Sequence, residues 1–390
     1  MSKNKIQRTL SRGVEQILPE KSVLEKLMQK KKIRLYLGID PTGSLLTLGH
    51  GVALKKLQQF AELGHQVILL VGSGTVKIGD PTGRDTTRPV LTEEQIKENF
   101  KHWKKQASKI LDFENIEVRY NSKWLDKLQF DDLVRLMGKV TVQQLLERDM
   151  FQKRISEGKP IFGHEIIYPL LQGYDSVAMD VDLEIGGNDQ TFNMLMGRTL
   201  QRIYNNHEKF VLTTPLIPGT DGRKMSQSYH NFIALSDEPK EMFGKLMSVA
   251  DEVMEQYYEI FTDEDMQEMK QFIKKDPRNA KVHLAKSIVT WLHSAKDADA
   301  AEKDFVTKFV KKEVPDEMPE FEIKKKEIGV LDLIVDVCRF ANSKSEARRL
   351  IQQGGVSLDG QRIEDPNKII HFEGGEILKV GKRKFAKIKK

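Results

Sequence analysis

The stretch YLGIDPTGSLLTLGHG at residues 36–51 decides the fold, because it changes from strand to turn to helix within one short segment. The apolar run at residues 33–39 has the composition of a buried parallel strand. Pro41 and Gly43 turn the chain, and residues 49–51 begin a helix with an apolar face. A helix N-terminus behind a glycine turn presents free N–H groups to an anion. This segment therefore predicts one half of a nucleotide site.

A second stretch, GRKMSQS at residues 222–228, predicts the other half. Lys224 stands in a polar loop that follows a glycine, between the strand-like residues 210–212 and a later helical region. A cation in such a loop can move onto a polyphosphate. Each stretch alone has an ordinary interpretation, a packing turn or a solvated loop. Their occurrence together, about 170 residues apart, favours a shared nucleotide site.

Composition excludes several classes of protein. With 390 residues and 39% hydrophobic content, the chain is expected to form two or three domains with real cores. We expect no membrane-spanning helix and no secretory signal, because long apolar runs are absent from the sequence. We expect no transit peptide either, since an amphipathic helix is predicted at residues 13–27. The single Cys338 excludes an internal disulfide and a cysteine-rich zinc cluster.

Hydrophobic periodicity divides the chain. Strands and helices alternate at residues 34–216, which predicts an α/β fold with a Rossmann-like, doubly wound parallel sheet. The helical stretch at 126–158 has surplus apolar positions and is predicted to be an inserted dimer interface. We predict a catalytic domain at 1–235 with a mobile loop at 222–230. An α-helical domain at 236–312, a Pro- and acid-rich linker at 313–327 and a small α+β domain at 328–390 are predicted to follow.

The last predicted domain carries most of the positive charge. Residues 330–390 have 13 Lys or Arg against 8 Asp or Glu, a net +5 of the chain's +6. This favours contact with nucleic acid, although a basic tail that aids solubility is the alternative. Ser343 and Glu346 predict a capping box. The helix that they begin places three cations on or near one face: Lys344, Arg348 and Arg349.

A further group of polar residues lies at helical spacing. Tyr168, Gln172 and Asp175 occur at i, i+4 and i+7, so they share one helix face, which by itself could simply be solvated. The strand-like residues 182–187 end in two glycines, followed by Asp189. Ligands lie beyond the carboxyl ends of strands in open α/β sheets, so Asp189 is a candidate to bind a ribose. The alternative is a helix N-cap.

Residues 36–51 and 222–228 resemble the HIGH and KMSKS motifs of class I aminoacyl-tRNA synthetases. From near Thr9 to its end the chain resembles the bacterial-type tyrosyl-tRNA synthetases. The resemblance implies that Tyr36 and Asp175 hold the phenol hydroxyl of tyrosine. Its ammonium group would be held by three further residues: Asp80, Tyr168 and Gln172. A site that hydrogen-bonds a hydroxyl rejects the analogue without one, an effect for which tyrosyl-tRNA synthetase is itself the standard example.

The resemblance also assigns residues to ATP. Those on the adenosine side are Asp40, Gly49, His50, Gly187, Asp189 and Gln190. Thr42 would face the polyphosphate, Lys224 would bind it, and Arg84 and Arg88 match a loop that closes on pyrophosphate. The chain departs from the family motifs at Thr47 and Gln227, where the family has a histidine and a lysine that contact the β- or γ-phosphate. We expect a weakened or re-tuned clamp that still functions.

As a function, the resemblance implies a cytoplasmic, homodimeric tyrosine–tRNA ligase. Its substrates would be L-tyrosine, ATP and tRNA(Tyr), with Mg²⁺ carried by phosphate oxygens because no carboxylate cage is apparent. Residues 236–312 would bind the anticodon arm. Residues 328–390 resemble a small RNA-binding domain that is also found in a ribosomal small-subunit protein and in pseudouridine synthases. The RNA-contacting residues would be Lys344, Arg348 and Arg349.

Two other functions remain open at this point. An RNA-binding paralogue that has lost ligase activity would explain Thr47 and Gln227, but it would have no need for five matching polar residues in a tyrosine pocket. A ligase for tryptophan would have no use for Tyr36 and Asp175 around a phenol oxygen.

Overall fold

The computed structural model describes residues 3–81, 91–307, 318–323, 327–359, 361–371, 374–381 and 384–389. The chain divides into two compact units, Met1–Glu302 and Lys303–Lys390.

A six-stranded sheet forms the centre of the first unit. Its strands are β1 Gln16–Leu18, β2 Arg34–Ile39, β3 Gln66–Val71, β4 Ile116–Tyr120, β5 Leu183–Gly187 and β6 Phe210–Thr214. Their order is β1-β6-β5-β2-β3-β4, with β2 to β6 parallel and β1 antiparallel to β6. The order reverses between β2 and β5, which is the arrangement of a doubly wound sheet. The predicted α/β fold is confirmed.

Helices cover the sheet and continue beyond it. Those of the first unit are α1 Lys3–Thr9, α2 Lys21–Lys30, α3 Leu48–Glu62, α4 Glu93–Ala107, α5 Ser122–Leu125, α6 Phe130–Met137, α7 Val142–Leu146, α8 Asp149–Ser156, α9 Gly163–Met179, α10 Thr191–Asn205, α11 Pro239–Ser248, α12 Met254–Phe261, α13 Met266–Lys275, α14 Pro277–Leu292 and α15 Ala295–Phe305. Helix α15 extends across the boundary between the units. Among the residues that the structure describes, no helix is both long and apolar enough to cross a membrane.

The central strands β2, β3, β5 and β6 are largely buried, and most of their side chains are apolar. All residues of β3 after Gln66 are buried, and Tyr36 of β2 is buried among Ile68, Leu70 and Met179. The site-bearing helix α9 packs against α10 and contributes Leu170 and other residues to a second cluster. The sheet and these helices therefore fix the position of every side chain at the carboxyl ends of β2 and β5.

The second unit has its own core, built around Val330, Leu333 and Ile351. Its elements are β7 Glu320–Glu322, β8 Glu327–Gly329, α16 Val330–Asp332 continued by a π-helical turn at Leu333–Val337, α17 Lys344–Gln352, β9 Val356–Leu358, β10 Gln361–Arg362, β11 Ile369–His371, β12 Ile377–Val380 and β13 Lys384–Lys389. One sheet has the order β10-β9-β12-β13-β7, and β11 pairs with β8. The predicted hairpin is present as β9 and β10, with Asp359 at positive φ.

Three local features differ from the sequence-based expectations. The helix predicted at 13–27 is wrong at its start, because β1 pairs with β6 and α2 begins only at Lys21. Strand β7 lies inside the stretch predicted as a linker and β8 begins at its last residue, so paired structure begins at Glu320, earlier than predicted. Ser343 caps α17, but the Glu346 carboxylate accepts from the N–H of Asn342 and so does not close the predicted box.

Candidate active site

A cavity of about 350 Å³ opens at the carboxyl ends of β2 and β5, where the strand order reverses. Ligands of doubly wound sheets bind at this position. Fourteen residues singled out from the sequence line the cavity: Tyr36, Asp40, Thr42, Thr47, Gly49, His50, Asp80, Tyr168, Gln172, Asp175, Gly187, Asp189, Gln190 and Lys224. Gln227 is not among its lining residues, and Arg84 and Arg88 lie outside the described residues.

One end of the cavity is built around a buried carboxyl group. Asp175 of α9 accepts hydrogen bonds from Trp124 Nε1 at 2.8 Å and from Asn121 Nδ2 at 3.1 Å. Burial raises the pKa of Asp175 well above its ordinary value, and the two donated hydrogen bonds oppose that rise. The hydroxyl of Tyr36, which is fully buried, lies 3.0 Å from Ser176 Oγ. This end therefore offers a phenol and a carboxyl group inside an apolar surrounding.

Beside that end, the other two residues of the helix face point into a polar network. The Tyr168 hydroxyl donates to Asp40 Oδ2 at 2.9 Å, and Asn193 Nδ2 donates to Gln172 Oε1 at 2.9 Å. Gln190 Nε2 donates to Asp80 Oδ2 at 2.8 Å. Because these groups line a cavity and are linked to one another, the interpretation of this helix face as merely solvated is excluded.

Asp40 is held in place from two sides. Besides Tyr168, the Thr75 hydroxyl donates to Asp40 Oδ1 at 2.7 Å. The carboxylate also lies against Gly72, where an added Cβ would come within 1.8 Å of Asp40 Oδ1. Glycine at this position is therefore needed for the carboxylate to reach the cavity.

The N-terminus of α3 forms the opposite end of the cavity. His50 Nδ1 accepts from the backbone N–H of Thr47 at 3.0 Å and lies 2.9 Å from Thr47 Oγ1, which makes a capping box. Since Nδ1 is an acceptor, this contact assigns the ring proton to Nε2. Burial lowers the pKa of His50 to about 4, an effect that Asp189 opposes and Lys224 reinforces. His50 is therefore a neutral donor near neutral pH.

The second motif reaches the same place. Lys224 Nζ forms an ion pair with Asp189 Oδ2 at 2.9 Å, so Asp189 faces the cavity and not its own helix N-terminus. Gln227 Nε2 donates to the carbonyl oxygen of Leu45 at 2.9 Å, and the N–H of Leu48 donates to the carbonyl oxygen of Ile233 at 2.7 Å. The structure thus brings the two sequence motifs together, as predicted from their pairing.

Several side chains that organise the site were not found from the sequence. Asn231 is buried behind the Lys224 loop, where its Nδ2 donates to Asp221 Oδ1 at 2.7 Å and to the carbonyl oxygen of Lys224 at 3.1 Å. The others missed by the sequence analysis are Thr75, Asn121, Trp124, Ser176, Asn193 and Lys209. Lys209 ends the polar run at residues 205–209, directly before β6, so no sequence pattern distinguishes it from the residues before it.

Comparison with known families agrees with this geometry. The family model for class I tRNA synthetases (W and Y) matches residues 28–310, and that for the tyrosine–tRNA ligase SYY-like C-terminal domain matches residues 310–388. The curated tyrosine–tRNA ligase of Thermotoga maritima is 46% identical over 97% of this chain and 96% of its own length. That of Photobacterium profundum is also 46% identical, over 97% of both chains. The chain belongs to the tyrosyl-tRNA synthetases.

Solved structures share the fold of this synthetase at lower sequence identity. A C-terminally truncated mitochondrial tyrosyl-tRNA synthetase of Aspergillus nidulans has a TM-score of 0.66 and 22% identity, covering 78% of this chain and 94% of its own. The tyrosyl-tRNA synthetase of Archaeoglobus fulgidus, solved with L-tyrosine, has a TM-score of 0.62 and 22% identity, covering 77% and 100%. Both support the doubly wound architecture.

The predicted RNA-contact residues of the synthetase lie in the second unit. Lys344, Arg348 and Arg349 are all exposed on α17, whereas Ala347 and Ile351 of the same helix are buried in the core. Lys344 is engaged in an ion pair with Asp332, so the two arginines carry the freer charge of this face. Within the described residues, no cluster of His, Cys, Asp or Glu is suited to hold a metal ion.

Proposed function

We propose that the cavity binds L-tyrosine and ATP end to end and that this synthetase joins tyrosine to tRNA(Tyr). The observation that carries the proposal is the placement of Tyr36 and Asp175 at one end of a single cavity and of His50 and Lys224 at the other. A buried phenol and carboxyl group suit a substrate hydroxyl that both accepts and donates a hydrogen bond. The neutral imidazole and the ammonium group suit phosphate oxygens.

The substrate's ammonium group would lie among Asp80, Tyr168 and Gln172. All three residues are fixed by partners outside their own elements, Tyr168 by Asp40, Asp80 by Gln190 and Gln172 by Asn193. A preorganised acceptor set of this kind holds the amino acid with its carboxylate towards ATP. Asp40, Gly49, Gly187, Asp189 and Gln190 line the part of the cavity proposed for adenosine.

Activation is proposed to proceed by in-line displacement at the α-phosphorus of ATP. A tyrosine carboxylate oxygen forms the new P–O bond, the bond to the bridging oxygen breaks, and pyrophosphate leaves with the electron pair. Lys224 is 2.9 Å from Asp189 in this structure and would move onto the polyphosphate, where it offsets the developing charge. His50 Nε2–H and Thr42 add donors. By the family resemblance, Arg84 and Arg88 would complete the clamp.

The two residues that depart from the family motifs, Thr47 and Gln227, each form a hydrogen bond in the structure. Thr47 holds His50 through the capping box, and Gln227 ties its loop to Leu45. Both residues therefore retain a role in placing the clamp without contributing a charge. Mg²⁺ is proposed to arrive on the phosphate oxygens of ATP, and its role there is to neutralise charge on the leaving pyrophosphate.

Transfer of the tyrosyl group follows. A ribose hydroxyl at the 3′ end of tRNA attacks the adenylate carbonyl, and AMP leaves. We propose that the exposed cations of α17 contact tRNA phosphates and that residues 236–312 contact the anticodon arm. We propose that residues 1–235 form the catalytic domain and that residues 222–230 are its mobile loop. The proposed location is the cytoplasm, because charged tRNA is consumed by translation.

The protein is also proposed to be a homodimer. Helices α6 and α7 expose large apolar side chains, among them Phe130 at 79%, Val142 at 59% and Val134 at 53%. Several large apolar side chains exposed on two successive helices favour a protein interface there. A second copy of the chain presents the same surface and would bury it by two-fold symmetry.

The test is exchange of labelled pyrophosphate into ATP, run with tyrosine, phenylalanine and tryptophan in parallel. We expect exchange with tyrosine alone. Exchange with tryptophan would instead assign a different amino acid. No exchange from a folded protein that still binds RNA would favour the RNA-binding paralogue over the ligase.

A further inference from the structure

A buried ion pair lies directly behind the phenol end of the cavity, and the proposed chemistry makes no use of it. Lys209 and Glu184 are 0% and 2% exposed, and Lys209 Nζ donates to Glu184 Oε2. Charges are seldom buried this deeply unless they are paired. Only Glu184 lines the cavity, while Lys209 stands behind it. Replacing a buried ion pair by a hydrophobic pair of similar volume is often neutral or stabilising, so stability alone does not explain this pair.

The three protons of Lys209 have three acceptors. Besides Glu184, Nζ donates to Ser176 Oγ at 2.8 Å and to the carbonyl oxygen of Met194 at 3.0 Å. An ammonium group has three donors and no acceptor. Ser176 Oγ must therefore act as the acceptor in its contact with Lys209, which leaves its own proton free to point elsewhere.

That proton has a partner on the cavity side. Ser176 Oγ lies 3.0 Å from the hydroxyl oxygen of Tyr36, and either oxygen could be the donor if the two groups were considered alone. With Lys209 donating to Ser176, the favoured arrangement is a chain in which each hydroxyl accepts on one side and donates on the other. Lys209 Nζ also lies 5.9 Å from the centre of the Tyr36 ring, so its charge acts on the phenol directly.

We propose that Lys209 is a specificity-positioning residue that, through Ser176, turns the Tyr36 hydroxyl proton towards the cavity. Glu184 fixes Lys209 in that position. Asp175 supplies an acceptor at the same end of the cavity, so a bound group that accepts from Tyr36 and donates to Asp175 satisfies both residues. A phenol hydroxyl does both, and a phenyl ring does neither. The inference rests on the proposed binding of tyrosine and names the residues that orient its recognition.

Lys209 and Ser176 pack closely against α10. A Cβ on Gly197 of α10 would lie 2.5 Å from Lys209 Nζ and 2.7 Å from Ser176 Oγ. Gln172 Nε2 donates to Glu184 Oε1 at 3.2 Å, which ties the ion pair to a residue proposed to hold the ammonium group. Its three acceptors and this close packing therefore hold the Lys209 ammonium group in place, which a residue that orients Ser176 requires.

The experiment measures kcat/KM of pyrophosphate exchange for tyrosine and for phenylalanine in the full chain. The variants are Ser176→Ala, which removes one oxygen and keeps the ion pair, and the double variant Lys209→Met with Glu184→Gln, which leaves no unpaired charge. We expect the tyrosine-to-phenylalanine ratio to fall at least about tenfold in both, from loss of a hydrogen-bond chain with a charged donor. The KM for ATP should stay within about twofold.

The matched control is Lys56→Met. Lys56 is also a buried lysine, and its Nζ donates to the carbonyl oxygens of Thr9 and Arg12, away from the cavity. This variant should lower the melting temperature and leave the tyrosine-to-phenylalanine ratio unchanged. If Ser176→Ala or the double variant keeps the wild-type tyrosine-to-phenylalanine ratio, the ion pair is structural. That result would overturn this inference but not the proposed function. Absence of tyrosine-dependent exchange in the wild type would overturn the proposed function itself.

Discussion

Asp175 is central to the proposed selectivity of the site for tyrosine. Its buried carboxyl group accepts from Trp124 and Asn121, and it is the proposed acceptor for the substrate hydroxyl. Asp175→Asn keeps the shape but replaces a carboxyl oxygen by an amide nitrogen that presents a donor to existing donors. Leaving a buried hydrogen-bond donor without its acceptor costs about 1–3 kcal/mol. We expect kcat/KM for tyrosine to fall roughly ten- to hundredfold, with the KM for ATP unchanged, in exchange kinetics.

The histidines allow a second test at the scale of single residues. Burial lowers the pKa of both His50 and His65 to about 4, against about 6.5 for an unfolded histidine. Between these two pH values the unfolded chain binds more protons than the folded protein. Each histidine therefore contributes a loss of stability as pH falls from about 6.5 to about 4, and none above that range.

The variants His50→Gln and His65→Gln should each flatten the pH dependence of the unfolding free energy over this range, measured with urea. His65 Nδ1 accepts from the backbone N–H of Ile33, and His65 does not line the cavity. His65→Gln should therefore keep pyrophosphate exchange, whereas His50→Gln should lose it. An unchanged pH dependence in both variants would contradict the assignment of neutral buried imidazoles.

Spacing in the sequence predicted which residues belong to the site, but it did not predict which of them contact one another. Tyr168, Gln172 and Asp175 share a helix, so spacing alone predicted that they share one face, and the family resemblance supplied the prediction that they bind one substrate. Lys209 and Ser176 come from different elements, and only the fold shows that they meet. A single sequence specifies which side chains share a face, but which element packs against that face is decided by tertiary structure.

At the scale of elements, the N-terminus of α3 affects both the stability of the protein and the proposed binding of ATP. Thr47 caps this helix and fixes His50. Thr47→Ala should cost about 1 kcal/mol of stability, the usual effect of losing an N-cap, and should also raise the KM for ATP because His50 loses the Thr47 hydroxyl, one of its two partners. Thr92 provides the control, since it caps α4 with the same kind of box and Gln95.

Thr92→Ala is expected to cost a similar free energy of unfolding without changing the KM for ATP. Denaturant unfolding and exchange kinetics of both variants separate the two effects. If both variants raise the KM for ATP equally, the loss of stability, and not the position of His50, is the cause.

The elements that the sequence predicted well are those whose pattern is local. Strands β2 and β3 are apolar runs and β4 alternates apolar and charged residues, so composition and periodicity were sufficient. Strand β1 has three residues and exists only because it pairs with β6 far along the chain. Strands β7 and β8 are equally short and are rich in glutamate. Neither periodicity nor composition marks elements of this kind.

At the scale of the whole molecule, the exposed apolar face of α6 and α7 predicts a dimer. A doubly charged face cannot be buried against its own copy, so Val134→Asp with Val142→Asp should produce monomers. Val23→Asp is the control, because Val23 is also an exposed apolar residue, at 44%, but belongs to α2. Light scattering of the three proteins should give twice the chain mass for the wild type and the control. A monomeric wild type would contradict the proposed interface.

The two compact units predict two separable activities. The amino-acid and nucleotide cavity is lined by residues of Met1–Glu302, and the exposed cations of α17 belong to the other unit. Arg348→Ala with Arg349→Ala should therefore raise the KM for tRNA in aminoacylation and leave pyrophosphate exchange unchanged. With fewer phosphate contacts, binding releases fewer counterions, so the salt dependence of tRNA binding should weaken as well. Lys368→Ala removes an exposed charge from the same unit outside α17. If it weakened tRNA binding as much as the double variant does, net charge would be responsible, and not the face of α17.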